Sequence, residues 1–317
     1  MTDHPDWFDL GFRSVEREVR DRRLPVEGSI PEWVAGRLIR NGPGRFELGG
    51  ERVNHWFDGL AMPRVYRVAD GEIRYTNRFL CSSAYRDATT GDPTGQFATH
   101  RSGARTALDW LRRFGPPTPT DNANVHVARL DGEFVALTEV PRWLRFDPDD
   151  LTTSGEFRFE DDLRLHTTTA HLVDDPNRAE HVGFGTRFGP RAAYHLFRLP
   201  DGSRRRERIA TVRTDRPAYV HSCAVTERHV VLPEPPLTVD RLGLVSPFTE
   251  SFFDLLSWEP SRGTRFVVVD RDEGTVVADP TVEPFFTFHT VNAFTDGDEV
   301  VVDLVEFDDA GLLDALS

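Results

Sequence analysis

Four of the eleven histidines occupy apolar, strand-like sequence, and their spacing is that of a repeated structural unit. His126, His171, His221 and His289 follow one another at intervals of 45, 50 and 68 residues. A four-stranded propeller blade takes roughly 40–50 residues, so the spacing predicts about one histidine per blade. The innermost strands of a propeller face its central axis, where such imidazoles would meet. Imidazole-rich sites suit iron, copper, nickel or zinc.

The stretch PFFTFHTVNAF, residues 284–294, predicts a buried strand with one imidazole among phenylalanines. A buried histidine needs partners for both ring nitrogens, and the residues leave two alternatives for His289, a backbone carbonyl or a metal. A single histidine in an apolar strand is more often a structural core residue; the recurrence adds weight to the metal, and the spacing alone leaves both alternatives open. Neutral imidazoles would then need a carboxylate to fix their tautomer. Glu139, at the end of a strand pair, is the candidate.

The elements that must position these histidines are strands. Apolar runs flank short turn sequences such as Asp70-Gly71, Asp131-Gly132 and Asp201-Gly202, which is the pattern of β-hairpins. Many short antiparallel strands without a strict sequence repeat indicate a propeller or a large barrel. Helices are predicted only at 105–114 and 249–258. No low-complexity linker interrupts the chain, so one domain over residues 1–317 is the simpler prediction.

The composition excludes several classes of function. The net charge is −14, which argues against nucleic acid as a partner. All 38 basic residues are arginine, so Schiff-base lysine chemistry and the P-loop lysine are excluded. The two cysteines, Cys81 and Cys223, form no CxxC pair, so a zinc knuckle and a CxxC redox motif are excluded. No signal peptide and no apolar run that could span a bilayer is present, which predicts a cytoplasmic protein, at most peripheral to a membrane.

Long motifs in this chain resemble the carotenoid oxygenase family, the enzymes that cleave carotenoids and apocarotenoids. The resemblance covers nearly the whole chain, and its motifs follow the order of the family. They are GRLIRNGPGRFELGG (36–50), HWFDGLAMPRVYRVADGEIRYTNRFLCSSAYR (55–86), NANVHV (122–127), ALTEVPRWLRFDPDDLTTSG (136–155), TTAHLVDDP (168–176), YVHSCAVTERHVVLPEPPL (219–237), SWEPSRGTRFVVVDR (257–271) and FFTFHTVNAFTDGDEVVVDLVEF (285–307).

The resemblance implies an all-β fold, a seven-bladed β-propeller with a non-haem Fe(II) on its axis. It implies that His171, His221 and His289 are metal ligands and that Glu139 bonds to a ligand histidine from outside. No organic cofactor is implied. His126 is expected to be a structural residue, and so is His55, with Asp58 and Gly59 shaping a turn.

This chain departs from the family pattern at its C-terminal end. The family holds its iron with four histidines, and the fourth lies beyond the position that corresponds to Ser317. We therefore expect an incomplete propeller that lacks its C-terminal blades, in either a fragment of a longer protein or a natural truncation. If the chain is complete, we expect weak or absent dioxygenase activity. A smaller departure is Leu172, where the family usually has proline.

The reaction that the resemblance implies is the cleavage of one C=C bond of a carotenoid or apocarotenoid by O2, giving two carbonyl products. The partners are then O2 and a lipophilic polyene in an apolar tunnel, which Phe285, Phe286, Phe288 and Trp56 could line. The apolar segment 242–258 is expected to contact a membrane surface. Two alternatives remain open, an inactive polyene-binding remnant and a stilbene-cleaving dioxygenase of the same family. The absence of lysine argues against the second.

Overall fold

The computed structural model describes residues 8–48, 51–53, 55–90, 120–240, 243 and 251–316. Strands dominate these residues, and helices are short. The chain divides into two compact units. The first takes in Met1–Ser102, Pro119–Thr138 and Arg142–Phe157, and the second takes in Gly103–Thr118, Glu139–Pro141 and Arg158–Ser317. The prediction of one domain over residues 1–317 stays a prediction.

The first unit contains two four-stranded antiparallel sheets, and only one of them has its strands in the order of a simple meander. One sheet runs β1 (Val19–Leu24), β8 (Glu72–Asn77), β7 (Arg64–Ala69) and β2 (Gly36–Arg40), and the other runs β12 (Thr153–Phe157), β11 (Trp143–Phe146), β10 (Glu133–Leu137) and β9 (His126–Leu130). Shorter elements complete the unit: β3 (Pro43–Arg45) with β6 (Leu60–Ala61), β4 (Glu47–Leu48) with β5 (Glu51–Arg52), the helix α1 (Ser83–Thr90), and 3-10 turns at Phe8–Phe12 and Trp56–Asp58.

The predicted hairpin turns of this unit are confirmed. Asp70 and Gly71 join β7 to β8 with φ angles of 52° and 74°. Asp131 and Gly132 join β9 to β10 with φ angles of 48° and 74°. Two successive residues in the left-handed region give a turn whose twist matches the twist of the flanking strands, which is why Asp-Gly predicts a hairpin from sequence.

The second unit contains two larger antiparallel sheets and carries all three predicted metal ligands. The first sheet runs β13 (Thr167–Thr168), β15 (Glu180–Arg187), β16 (Ala193–Pro200) and β17 (Glu207–Arg213), with β14 (Val173–Asp175) also paired to β15. The second runs β18 (Ala224–Val225), β19 (His229–Glu234), β22 (Thr264–Asp270) and β23 (Val276–Ala278), with β24 (Thr281–Val282) paired to β22. Two-stranded sheets pair β20 (Leu237–Val239) with β21 (Leu256–Trp258) and β25 (Thr290–Asp296) with β26 (Glu299–Leu304); 3-10 turns span Phe253–Leu255 and Pro260–Arg262, and the helix α2 spans Gly311–Ala315.

The core of the second unit follows the two-residue period of its strands. Alternate residues on neighbouring strands turn toward one buried cluster, while the residues between them face away. Burial of each large apolar side chain in such a cluster contributes about 1.5–3 kcal/mol. The pairs at successive alternate positions are Val182 and Phe184, Tyr194 and Leu196, Ala210 and Val212, Val230 and Leu232, and Val267 and Val269.

The helix predicted at 249–258 is wrong where the structure describes it. Residues Phe253–Leu255 form a single 3-10 turn, which Ser251 and Asp254 close by exchanging side chain to backbone hydrogen bonds. Leu256–Trp258 then pairs with Leu237–Val239 as an antiparallel strand. The strand partner lies far away in sequence, so the local apolar pattern could not reveal it. The helix predicted at 105–114 lies outside the described residues.

The buried strand predicted at 284–294 is only partly correct. Phe285, Phe286 and Phe288 are buried, but they precede the strand, which begins at Thr290. Within the strand Val291 is 69% exposed and Phe294 is 44% exposed. The apolar run therefore consists of a buried irregular segment followed by an exposed strand.

None of the described helices is both long enough and apolar enough to cross a membrane.

Candidate metal centre

The three predicted ligand histidines lie in short irregular segments, each next to a strand at the edge of its sheet: β13, β18 and β25. His171 lies between β13 and β14, which pair with the same neighbour, β15. His221 comes three residues before β18, and His289 comes immediately before β25. The spacing predicted these histidines within strands, whereas the structure places them where the strand ladder is interrupted. Such interruptions free the backbone to aim a side chain away from the pleat.

The side chains of His171, His221 and His289 converge, although they are distant in sequence. One potential ligand nitrogen from each residue lies within 4.8 Å of the other two. The ring centroids of His171 and His221 are 4.7 Å apart, those of His171 and His289 are also 4.7 Å apart, and those of His221 and His289 are 5.0 Å apart. His221 is buried, His171 is half-buried and His289 is exposed.

Glu139 contacts this cluster through His221. Its Oε1 atom lies 2.7 Å from His221 Nδ1, so the carboxylate accepts the proton that this nitrogen carries. In the neutral ring this leaves the other nitrogen, Nε2, with a lone pair that it can donate to a metal. The contact expected of Glu139, a hydrogen bond to one of the cluster histidines, is thus present in the structure.

Tyr219 is a member of the site that the sequence reasoning missed. Its hydroxyl donates to Glu139 Oε2 at 2.8 Å and lies 3.4 Å from His221 Nδ1. Burial raises the pKa of the Tyr219 phenol well above its ordinary value, and the Glu139 carboxylate acts in the same direction. The phenol therefore stays protonated and remains a donor. Its position two residues before His221 is the signal that could have identified it.

Aromatic rings form one side of the cluster. The Phe288 ring lies 5.0 Å from the His221 ring and 6.4 Å from the Tyr219 ring, edge to face in both cases. Phe252 lies 6.0 Å from Tyr219, and Phe286 lies 4.8 Å from Phe288. Phe286 is fully buried and packs as a core residue. The surroundings of the histidines are therefore apolar on this side, while a tunnel lined by these residues stays a prediction.

The residues for which the sequence predicted structural roles lie in the first unit. His126 is the first residue of β9 and is exposed. His55 is buried and caps the 3-10 turn at Trp56–Asp58, where its Nδ1 accepts from the Phe57 amide at 3.1 Å. Asp58 is buried in that turn, and Gly59 ends it. These contacts agree with the structural roles expected of His55, Asp58 and Gly59.

The donor set of the cluster fits a divalent transition metal. Three imidazoles from one unit come together, and the tautomer of His221 is fixed by a carboxylate outside the cluster. Imidazole ligands suit iron, copper, nickel and zinc, and a carboxylate that holds the second ring nitrogen is typical of metal-ligating histidine.

Comparison with known proteins gives matches along nearly the whole chain. The sequence model of the family described as RPE65, retinal pigment epithelial membrane protein, matches residues 12–317. The mitochondrial carotenoid-cleaving dioxygenase of Mustela putorius furo is 30% identical over 95% of this chain and 59% of that protein. The chloroplastic carotenoid cleavage dioxygenase 8 homolog A of Oryza sativa subsp. japonica is 34% identical over 96% of this chain and 57% of that protein. This chain thus spans about 60% of the length of these relatives.

Solved structures show the same architecture. A variant of the Synechocystis apocarotenoid oxygenase superposes with a TM-score of 0.82 at 23% identity, over 96% of this chain and 64% of that chain. Cobalt-substituted Synechocystis ACO superposes with a TM-score of 0.80 at 22% identity, over 95% of this chain and 63% of that chain. The predicted fold class, all-β with the propeller architecture of these oxygenases, is confirmed.

Proposed function

The chain belongs to the carotenoid oxygenase family, and on that premise we propose that it acts as a non-haem iron(II)-dependent dioxygenase. The proposed reaction cleaves one C=C bond of a carotenoid or apocarotenoid with O2, and each of the two carbons becomes a carbonyl carbon. The observation that carries the proposal is the cluster of His171, His221 and His289 with Glu139 on His221.

We propose that His171, His221 and His289 hold the metal and that Glu139 orients His221 without binding the metal itself. A bound Fe(II) ion would supply the redox chemistry that O2 requires in order to react with a closed-shell polyene. The residues supply geometry and charge. Neutral imidazoles would leave the ion with its full positive charge. The Glu139 carboxylate, through its hydrogen bond to Nδ1, makes His221 a more basic ligand.

The surroundings of the cluster and the names of the relatives both support the proposed substrate class. Phe288, Phe252 and Tyr219 place apolar ring surface beside His221, which favours a long apolar molecule over a charged one. Relatives are named as carotenoid-cleaving dioxygenases, and solved neighbours as apocarotenoid oxygenases. A polyene whose reacting bond lies next to the histidines satisfies both observations.

A lipophilic substrate partitions into membranes, which makes a membrane the natural source of a polyene. We propose that the segment 242–258 contacts a membrane surface at its periphery. In its described part Phe252 and Phe253 are only half-buried. Sedimentation with vesicles of neutral phospholipid tests this point, since the wild-type chain should co-sediment more strongly than the variant Phe253→Ser.

The test of the proposed function begins with metal content. The chain is purified without oxygen, loaded with Fe(II), and compared with His221→Ala and with the control His126→Ala, which changes an exposed histidine of the first unit. We expect about one iron per chain in the wild type and in the control, and little in His221→Ala, because the two remaining imidazoles would hold the ion much more weakly than three.

The second step adds an apocarotenal and O2 to the loaded protein and follows the loss of polyene absorbance and the formation of two carbonyl products. Iron binding without cleavage, with the polyene bound intact, would favour the alternative of an inactive polyene-binding remnant. Equal iron in the wild type and in His221→Ala would refute the metal centre.

A further inference from the structure

Two buried hydroxyl groups connect the backbone segments that carry the three histidines. The first belongs to Thr169, which is 1% exposed. Its Oγ1 donates to the carbonyl oxygen of His221 at 2.9 Å and accepts from the amide of His171 at 3.0 Å. One hydroxyl group therefore fixes the distance between the backbones of two predicted ligands that are 50 residues apart.

The second hydroxyl group belongs to Ser222, which is 4% exposed. Its Oγ donates to the carbonyl oxygen of Phe288 at 2.7 Å and accepts from the amide of Thr290 at 3.0 Å. These two residues flank His289 in the chain, so Ser222 holds the backbone on both sides of that histidine. Ser222 also follows His221 directly, which makes the link one between His221 and His289.

Together the two hydroxyl groups join the three segments in series, from His171 through Thr169 to His221, and from Ser222 to His289. Each uses its donor and its acceptor capacity on backbone atoms of a histidine segment. Three of these four backbone groups, those of His171, His221 and Phe288, lie outside the strands, so the hydroxyl groups take the place of ladder hydrogen bonds there. A shift of one segment would move its imidazole away from the other two.

We propose that Thr169 and Ser222 are positioning residues of the metal centre, which set the separation of the three imidazoles through the backbone. The inference rests on the proposed function, because it assumes that the cluster binds a metal. Neither residue is catalytic. Each acts through the histidines, so removal of its hydroxyl group is expected to lower the metal affinity and to change the coordination geometry of the bound ion.

The test uses Co(II) as the probe, since its visible absorption reports both binding and coordination geometry. The variants Thr169→Val and Ser222→Ala remove each hydroxyl with little change of volume, and Thr169→Ser and Ser222→Thr keep it. The matched control is Thr226→Val in the same unit. Thr226 is also buried, and its hydroxyl accepts from the amides of Arg228 and His229, away from the histidine segments.

We expect Thr169→Val and Ser222→Ala to bind Co(II) about 10- to 100-fold more weakly than the wild type, with an altered absorption spectrum, as is usual for the loss of outer contacts of a metal site. Thr169→Ser and Ser222→Thr should retain most of the affinity. Thr226→Val should keep affinity and spectrum even where its thermal midpoint falls. If Thr169→Val does not fold, the comparison of Ser222→Ala with Ser222→Thr decides.

Wild-type affinity and spectrum in folded Thr169→Val or Ser222→Ala would overturn the inference and leave the proposed function intact. An equal loss in Thr226→Val would also overturn it, because the effect would then follow from stability alone. Absence of Co(II) binding by the wild type would refute the proposed metal centre and the inference with it.

Discussion

Tyr219 and His221 hold the Glu139 carboxylate from its two oxygens. The phenol donates to Oε2 at 2.8 Å, and the imidazole donates from Nδ1 to Oε1 at 2.7 Å. The carboxylate is therefore fixed in orientation before any metal binds. A preorganised outer contact of this kind keeps the histidine in the tautomer that a metal requires.

The first prediction concerns Glu139→Ala. The substitution removes the acceptor for His221 Nδ1–H, so the ring can rotate and exchange its tautomers. We expect the affinity for Fe(II) or Co(II) to fall about 10- to 100-fold. Metal titration of the purified chain measures the change. The control Glu207→Ala removes an exposed carboxylate that pairs with Arg198, and it should leave the affinity as it is. Equal affinities of Glu139→Ala and the wild type would contradict the assigned role.

The second prediction concerns Tyr219→Phe. The variant keeps the ring beside Phe288 and Phe252 but loses the hydrogen bond to the Glu139 carboxylate. A hydrogen bond to a charged group contributes about 1.5–3 kcal/mol, so the free energy of unfolding should fall by about 2 kcal/mol. Urea denaturation measures this change. Metal affinity should fall less than in Glu139→Ala, because the contact between Glu139 and His221 remains; a larger fall would show that the phenol itself orients His221.

The sequence could predict His171, His221, His289 and Glu139 because each lies in a long motif that resembles one family. It could also predict the hairpins, since Asp-Gly turns need positive φ angles that few other residue pairs adopt easily. In both cases the information is contained in a short stretch of chain. A local pattern of this kind can be read without knowledge of the partner segments.

Thr169, Ser222 and Tyr219 could not be assigned in this way. Their partners lie 52, 66 and 80 residues away, and a serine or threonine hydroxyl has the same appearance in sequence whether it faces water or a backbone amide. The helix expected at 249–258 failed for a related reason, because the strand that pairs with Leu256–Trp258 is Leu237–Val239. Tertiary pairing outweighs local propensity at such positions.

The third prediction is a loss of stability in alkali through Tyr194. Its hydroxyl donates to Glu234 at 2.7 Å and accepts from the Ala218 amide, and burial together with the Glu234 carboxylate raises its pKa well above the ordinary value of 10.0. In the unfolded chain the phenol ionises near pH 10, while in the folded chain it stays neutral. The stabilising contribution is therefore fully present below pH 10 and decreases as the pH rises above it.

Urea denaturation at pH 9, 10 and 11 measures this dependence in the wild type and in Tyr194→Phe. Each retained proton contributes a slope of about 1.4 kcal/mol per pH unit above the unfolded pKa. At pH 9 Tyr194→Phe should have a lower free energy of unfolding than the wild type, because the substitution removes the hydrogen bonds of the hydroxyl. From pH 10 to pH 11, however, the free energy of unfolding of the variant should fall less steeply than that of the wild type. Parallel curves for the two proteins above pH 10 would contradict the prediction.

The fourth prediction concerns Arg271, whose side chain is 1% exposed. The guanidinium lies 2.6 Å from Asp175 and 2.7 Å from Glu180, and it donates to the carbonyl oxygen of Thr226. Arg271→Gln would leave two carboxylates close together and largely buried, which should lower the free energy of unfolding by about 3–5 kcal/mol. Urea denaturation at pH 7 measures the loss. Arg23→Gln, which breaks an exposed pair with Glu72, should cost less than about 1 kcal/mol, and a similar cost for both variants would show that the Arg271 cluster is no stronger than a surface ion pair.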